Sequence, residues 1–384
     1  MSKITQDILN SLPSPCWLLE EELLERNLKI LKNIKDKTGV YILLALKGYA
    51  LWKSFDLVRE YLDGCCASGL NEALLAKEEF KKEIHTYSPA FKPNEIEEIA
   101  KISNHIVFNS NNQLKTYYNL VKRINPKISI GLRVNPQVSC APVEMYNPCS
   151  PTSRLGIKIE DFNEESLEYI DGLHFHALCE EDSTSLKLVL EAFEAQFSKY
   201  FDRLKWVNFG GGHHITRKDY NIELLIKLLN DFKSKYPHLK IYLEPGEAVG
   251  WESGVLVATV LDIVKNGDLK IAILDTSAEA HMPDTIIMPY RAEVRGAKEA
   301  NVLPYTYQLA GNTCLSGDIM GEYSFNKELK IGDKIIFEDQ MHYTMVKATT
   351  FNGINLPSIA ILRKDGNIDI IRNFGYEDFK NRLS

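Results

Sequence analysis

Residues 40–50 read VYILLALKGYA: an unbroken apolar run that ends in Lys47 and Gly48. A run of that length closed by glycine predicts a buried strand. A lysine at the end of such a strand is unusual, because Lys is rarely buried without a partner. Two readings of Lys47 stand side by side. It is a strand-end amine reaching solvent, or an amine held in place for chemistry.

Downstream of Lys47, short apolar runs alternate with helical patterns. Strands are expected at 62–67, 84–88, 105–109, 128–134, 172–177, 206–209 and 241–244. Helices are expected at 20–37, 71–82, 94–102, 112–124, 185–201 and 221–236, where apolar residues recur every three or four positions. With the Lys47 strand this makes eight strand–helix alternations, which predicts a parallel sheet closed into a (β/α)8 barrel. From Gly254 the texture changes to short strands joined by turns such as KNGD and KDGN, an all-β second domain. The expected division is a barrel over 20–250 and a β domain over 251–384, joined by 1–19 through a strand at Cys16–Leu19. The segment 137–153, rich in Pro, Cys and Ser, is a loop long enough to be functional.

Composition limits the partners. The chain has 384 residues, 45% hydrophobic and 25% charged, with a net charge of −7. That balance argues against nucleic acid or an anionic membrane as the main partner, and it is compatible with a cationic ligand. No apolar stretch is long enough to span a bilayer, and the first residues lack the apolar core of a signal peptide. The seven cysteines form no CxxC pair and read as free thiols in a reducing cytoplasm, without zinc.

In a barrel of this kind, catalytic groups stand at the C-terminal ends of the strands. The first strand delivers Lys47 there, the second Ser68 and the sixth His174 and His176. The seventh delivers Gly210, Gly211 and Gly212, and the eighth Glu244-Pro245-Gly246-Glu247. Lysine forms Schiff bases with aldehyde cofactors such as pyridoxal phosphate (PLP). The glycine triplet is a flexible turn, or a cradle whose N–H groups approach a phosphate. Glu244 is a rim salt-bridge partner, or a carboxylate that keeps a pyridine nitrogen protonated. His174 and His176 have no evident third metal ligand, so a packed or stacking histidine is the better reading. By default Cys314, Asp318 and Tyr343 are a buried thiol, a turn residue and an interior aromatic.

Taken together, LALKGYA, CCASGLNE, SRLGI, GLHFHALCE, NFGGGHH, EPGEAVGW, LDTSAEAHMPD and GNTCLSGD resemble the fold-type III PLP decarboxylases. That family includes the ornithine, arginine and diaminopimelate decarboxylases and shares its fold with alanine racemase. The resemblance implies that Lys47 carries PLP, His176 stacks on the pyridine ring and Glu244 pairs with its nitrogen. Gly210–Gly212, Gly246 and Tyr343 would hold the phosphate, with Ser68 and Arg154 among the cofactor contacts. It further implies a homodimer with active sites at the interface, across which Cys314 supplies a proton and Asp318 reaches substrate.

Two departures bear on substrate. Relatives acting on ornithine or diaminopimelate have Arg where this chain has Glu247, and a small Gly/Ser stretch where it has Ala177-Leu178-Cys179-Glu180. Losing that Arg removes a partner for a distal carboxylate. Glu180, Glu247, Asp275, Glu279 and Asp284 would suit a long cationic tail, which fits the carboxy-polyamine branch of the family. Five acids on loops are equally an ordinary surface. Diaminopimelate or basic amino acid decarboxylation, racemisation and a non-catalytic PLP-binding homologue stay open at this point.

Overall fold

The computed structural model describes residues 2–141, 143–288 and 290–384. The chain divides into two compact units: residues 26–249, and the segment ending at Glu25 together with 250–384.

The first unit is the expected barrel. Its strands are Tyr41–Ala45, Gly64–Ala67, Glu83–Tyr87, His105–Phe108, Ser129–Arg133, Gly172–His174, Trp206–Asn208 and Lys240–Leu243. Each pairs in parallel with the next, and the eighth closes on the first through Tyr41↔Tyr242 and Ile42↔Leu243. The outer helices follow from local sequence. Asn111–Ile124 starts where the Ser110 hydroxyl accepts the Gln113 N–H, buries Leu114 and Val121 on one face, and ends in Lys122 and Arg123. Those two cations suit the negative end of the helix dipole.

Two expectations need correction. The 71–82 helix is shorter and uneven: Leu70–Leu75 is α-helical, Ala76–Phe80 widens into a π turn, and Lys81 ends it at φ +61°. The eightfold alternation also lapses once. Among the described residues, only 3-10 turns connect Arg133 to Gly172, at Glu144–Tyr146, Ile159–Asp161 and Glu164–Glu168. Pro136, Pro148 and Pro151 remove backbone donors there and discourage a helix.

Near the N-terminal end of the barrel the interior packs around one indole, against which Tyr242, His85 and His105 lie. Trp206 is buried and donates its Nε1–H to Ser129 Oγ at 2.8 Å. It fits because two strands carry glycine beneath it. A Cβ on Gly172 would lie 2.1 Å from Trp206 Cδ2, and one on Gly131 would lie 2.4 Å from Cη2. Gly172→Ala is therefore expected to destabilise the fold by about 1–3 kcal/mol through overpacking. A urea midpoint equal to that of the parent would refute this.

The second unit is a nine-stranded sheet built on the long strand Gly254–Asn266. Cys16–Glu20 lies between that strand, antiparallel through Cys16↔Val257, and Ser358–Leu362, parallel through Cys16↔Ser358. All five of its residues are buried. Leu18, Val255, Val257, Ile336 and Leu362 form part of the core beneath it. The sheet also contains Ile319–Phe325 and Ile368–Arg372, which the apolar pattern did not reveal. Among the described residues no helix is long and apolar enough to cross a membrane.

Candidate active site

The first and eighth barrel strands end against each other. The Ala45 N–H donates to the Pro245 carbonyl at 3.0 Å. A Cβ on Gly48 would lie 2.8 Å from the Glu247 nitrogen, and one on Gly246 would lie 2.8 Å from the Ala45 oxygen. Only glycine at both places lets the turns approach this closely, and Lys47 stands on one of them. Its side chain is solvent-accessible yet closely surrounded by protein, as expected of an amine standing in a recess. Burial, and then the positive charge of Arg133, lower its pKa, outweighing the attraction of Cys66 and Glu244.

Glu244 is buried at the end of the eighth strand, and both its oxygens are held. Asn208 Nδ2–H donates to Oε1 at 2.6 Å, and His174 Nε2–H donates to Oε2 at 3.3 Å. Burial would raise its pKa, but His174, His85 and the Asn208 amide outweigh that and keep it low. The same burial lowers the His174 pKa, leaving that ring a neutral donor. The Asn208 carbonyl oxygen accepts the Gly210 N–H at 2.9 Å, so one amide links the carboxylate to the glycine loop.

The loop itself is tightly determined. Gly210 and Gly212 have φ of +68° and +81°. A Cβ on Gly211 would lie 2.2 Å from the Glu244 carbonyl oxygen. The Gly211 N–H donates to His176 Nδ1 at 3.0 Å, which places the imidazole proton on Nε2. Burial, Lys47 and Arg133 hold the His176 pKa well below the histidine range, so the ring is neutral. Arg133 is 4% exposed, donates to the His176 carbonyl at 3.0 Å and lies over the Tyr87 ring at 4.7 Å.

An amine of lowered pKa, a buried ionised carboxylate, a neutral imidazole and a glycine loop thus meet at one end of the barrel. A family model described as "Pyridoxal-dependent decarboxylase, C-terminal sheet domain" matches residues 31–340. The chain belongs to the pyridoxal-dependent decarboxylases. It is 52% identical over 380 residues to a carboxynorspermidine/carboxyspermidine decarboxylase of Campylobacter jejuni, covering 96% of this chain and 98% of that protein. It is 44% identical to a carboxyaminopropylagmatine decarboxylase of Synechocystis, covering 98% and 96%. A crystal structure of carboxynorspermidine decarboxylase from Campylobacter jejuni, complexed with norspermidine, superposes with a TM-score of 0.90 at 50% identity, covering 97% of this chain and 100% of that one. Diaminopimelate decarboxylase from Helicobacter pylori, at 19% identity, shares the fold with a TM-score of 0.83 over 98% of each chain.

As a pyridoxal-dependent decarboxylase the chain uses PLP, and its residues fit the cofactor. The Gly210–Gly212 cradle has no room for a Cβ, Glu244 is ionised, and Lys47 has a lowered pKa. Gly211→Ala is expected to weaken PLP retention, because its methyl group would displace the loop from the eighth strand. Equal retention of PLP on dialysis of variant and parent would refute that.

The remaining expected residues fall as follows. Ser68 is exposed, and its N–H donates to Glu72 Oε2 at 2.6 Å. Arg154 is exposed, and its carbonyl accepts from Asn109 at 2.8 Å. The buried guanidinium at the barrel end is Arg133. The sequence reading passed over it, although an arginine in the apolar run ISIGLRV is itself a signal. Asn208, two positions before the glycines, was also passed over. Glu180 is exposed at φ +57°, and Glu247 receives a hydrogen bond from His214 at 3.0 Å.

In the second unit several residues assigned to substrate have other work. Asp318 Oδ1 accepts from Ser277 Oγ–H and Ala278 N–H, at 3.0 and 2.7 Å. Its Oδ2 accepts from the Thr313 N–H and hydroxyl, at 3.1 and 2.6 Å. Asp318 therefore organises its own loops. Asp275 accepts the Thr259 N–H at 2.8 Å, and Asp284 pairs with Lys347 at 2.7 Å. Glu279 is half-buried, with its pKa raised by burial and by Asp318. Cys314 is exposed, its N–H donating to Asn352 Oδ1 at 2.5 Å, and Tyr343 opens the short helix Tyr343–Val346.

Proposed function

We propose that this decarboxylase removes the α-carboxyl group of carboxynorspermidine or carboxyspermidine and releases the corresponding triamine. The observation that carries this reading is the whole-length similarity, at 50% identity, to the enzyme crystallised with norspermidine. Glu247 supports it, since an acid there suits a cationic tail better than a distal carboxylate.

PLP, when bound, supplies the electron sink for the pair left by the departing carboxylate. The chain supplies the rest. Lys47 offers an amine whose charged form burial and then Arg133 disfavour, which favours its action as a nucleophile. Glu244 remains ionised, and its carboxylate, fixed by Asn208 and His174, would pair with the pyridine nitrogen of the cofactor and favour its protonated form. His176, oriented by the Gly211 N–H, offers the flat face of a neutral ring. The Gly210–Gly212 loop, the Gly246 turn and Tyr343 would hold the phosphate, with the Gly212 N–H as the loop donor, since those of Gly210 and Gly211 go to Asn208 and His176. Cys314 Sγ–H returns a proton to the substrate Cα after carbon dioxide leaves, from the partner subunit of a homodimer. Glu180, Glu247 and Glu279 are the acids we assign to the distal amines. The cytoplasm is the expected compartment.

The test is a substrate panel with PLP present: carboxynorspermidine, carboxyspermidine, the carboxyaminopropylagmatine analogue, meso-diaminopimelate, ornithine and arginine. Carbon dioxide and amine product are both followed. Turnover of the first two above all others is expected. Preferential turnover of diaminopimelate, or of the guanidinium substrate, would overturn the assignment.

A further inference from the structure

Cys314 stands on the loop 311–318, and residues 314–317 at its tip are all exposed. Such tips are ordinarily among the most mobile parts of a fold. This one closes on a buried carboxylate. Asp318 is 3% exposed. Its Oδ1 accepts from the Ser277 hydroxyl, the Ala278 N–H and the Glu279 N–H at 3.0, 2.7 and 3.4 Å. Its Oδ2 accepts from the N–H and the hydroxyl of Thr313 at 3.1 and 2.6 Å. The same Thr313 oxygen accepts the Leu315 N–H at 3.4 Å, and the Asp318 N–H donates to the Leu315 carbonyl at 3.0 Å. Both chain neighbours of Cys314 are thus tied to one buried residue. Asn352 Oδ1 holds the Cys314 N–H from outside the loop. Space is closed as well, since a Cβ on Gly311 would lie 2.2 Å from Asp318 Oδ2.

We propose that Thr313 and Asp318 are positioning residues that fix where the Cys314 thiol delivers its proton. This role rests on the reading of Cys314 as the proton donor of the reaction. Once carbon dioxide has left, the electron pair is shared between the substrate Cα and the cofactor. A proton passed from Cys314 Sγ–H to Cα completes the amine product and leaves a thiolate, which regains its proton from water. A proton that lands on the cofactor carbon leads elsewhere. One water then releases an aldehyde, and the substrate nitrogen stays on the cofactor as pyridoxamine phosphate. The substrate carbon ends oxidised and the cofactor's aldehyde carbon reduced. The two carbons flank one nitrogen, so a small displacement of the thiol changes which of them is protonated. A carboxylate engaged by five donors is a rigid anchor, and it acts on Cys314 through the backbone on either side. Neither Thr313 nor Asp318 touches the reacting atoms in this role.

The test compares the parent holoenzyme with Asp318→Asn, Thr313→Val, Thr313→Ser and Cys314→Ala in a single turnover. The substrate is carboxynorspermidine, or the member of the panel turned over fastest. Aldehyde is measured per carbon dioxide released, and hydrogen–deuterium exchange is followed over residues 311–318. That ratio should rise about tenfold in Asp318→Asn and in Thr313→Val, the scale of one hydrogen bond to a carboxylate. Exchange should quicken in both, and Thr313→Ser should restore both readouts. Thr313 is half-buried, so its Val variant covers the case in which Asp318→Asn fails to fold. A merely structural loss would lower carbon dioxide and amine together and leave the ratio at the parental value. That result in folded Thr313→Val, beside a raised ratio in Cys314→Ala, would overturn the positioning role and leave Cys314 as the donor. A parental ratio in Cys314→Ala would remove the donor reading and the positioning role with it.

Discussion

Lys47→Ala is expected to lose turnover by about 10^3-fold or more, the scale on which removal of one essential catalytic group acts. It should also lose the visible absorbance of bound PLP. The argument rests on what surrounds the amine. Burial and Arg133 both disfavour the ammonium form, which is how a lysine becomes nucleophilic near neutral pH. No neighbour named around it offers a second amine: Arg133 holds its charge, and Cys66 and Cys179 are thiols with pKa values raised by burial. Removing the side chain leaves the Ala45–Pro245 and Gly48–Ala45 backbone bonds intact, so the barrel should fold. Circular dichroism matching the parent, together with absent turnover, is the expected result. A variant that retains both absorbance and turnover would show that Lys47 is not the cofactor lysine.

The second large effect is on stability in acid. His213 and His281 are buried, and their pKa values fall from 6.5 to about 4. For His213 burial is the whole cause. For His281 burial leads, against weaker raising effects from Asp318 and the Asn355 backbone. Above pH 6.5 both rings are neutral whether the chain is folded or unfolded, and their contribution to stability is fully present. Below 6.5 the unfolded chain takes up two protons that the folded chain refuses until about pH 4. Each histidine then costs about 1.4 kcal/mol per pH unit across that window, and the two together about 3 kcal/mol per unit. The urea midpoint should therefore fall steeply between pH 6.5 and 4.5, and less steeply in His213→Gln. A midpoint that is flat or rises on acidification would contradict the assignment.

The legibility of this protein in its sequence depended on the kind of signal. The Lys47 strand, the glycine triplet and the EPGE turn announce themselves, because each sets an odd residue at the end of an apolar run. Arg133 and Asn208 do not. Arg133 acts on the His176 carbonyl and the Tyr87 ring, and Asn208 on Glu244 and the Gly210 N–H, contacts that exist only once the barrel has closed. His85 and His105 look unrelated in the chain, since only the strand register sets them face to face. Asp318 by default reads as a turn residue, and the sequence does not show that five donors on neighbouring loops hold its carboxylate. The helix expected over 71–82 widens into a π turn at Ala76, a change that periodicity alone does not betray.

The burial of Cys16–Glu20 inside the sheet of the second unit has a consequence for biosynthesis. This strand leaves the ribosome early, but its antiparallel neighbour begins only at Gly254 and its parallel neighbour at Ser358. At about 5–20 residues per second, translation needs on the order of ten seconds or more to deliver the first of them. Over that interval the CWLLE segment is an unpaired, apolar edge on a nascent chain whose barrel is still emerging, the kind of exposed strand that invites wrong pairing. The step most open to aggregation during synthesis is then the wait of this strand for its neighbours. Slowing translation after the barrel, rather than before it, should lower the soluble yield.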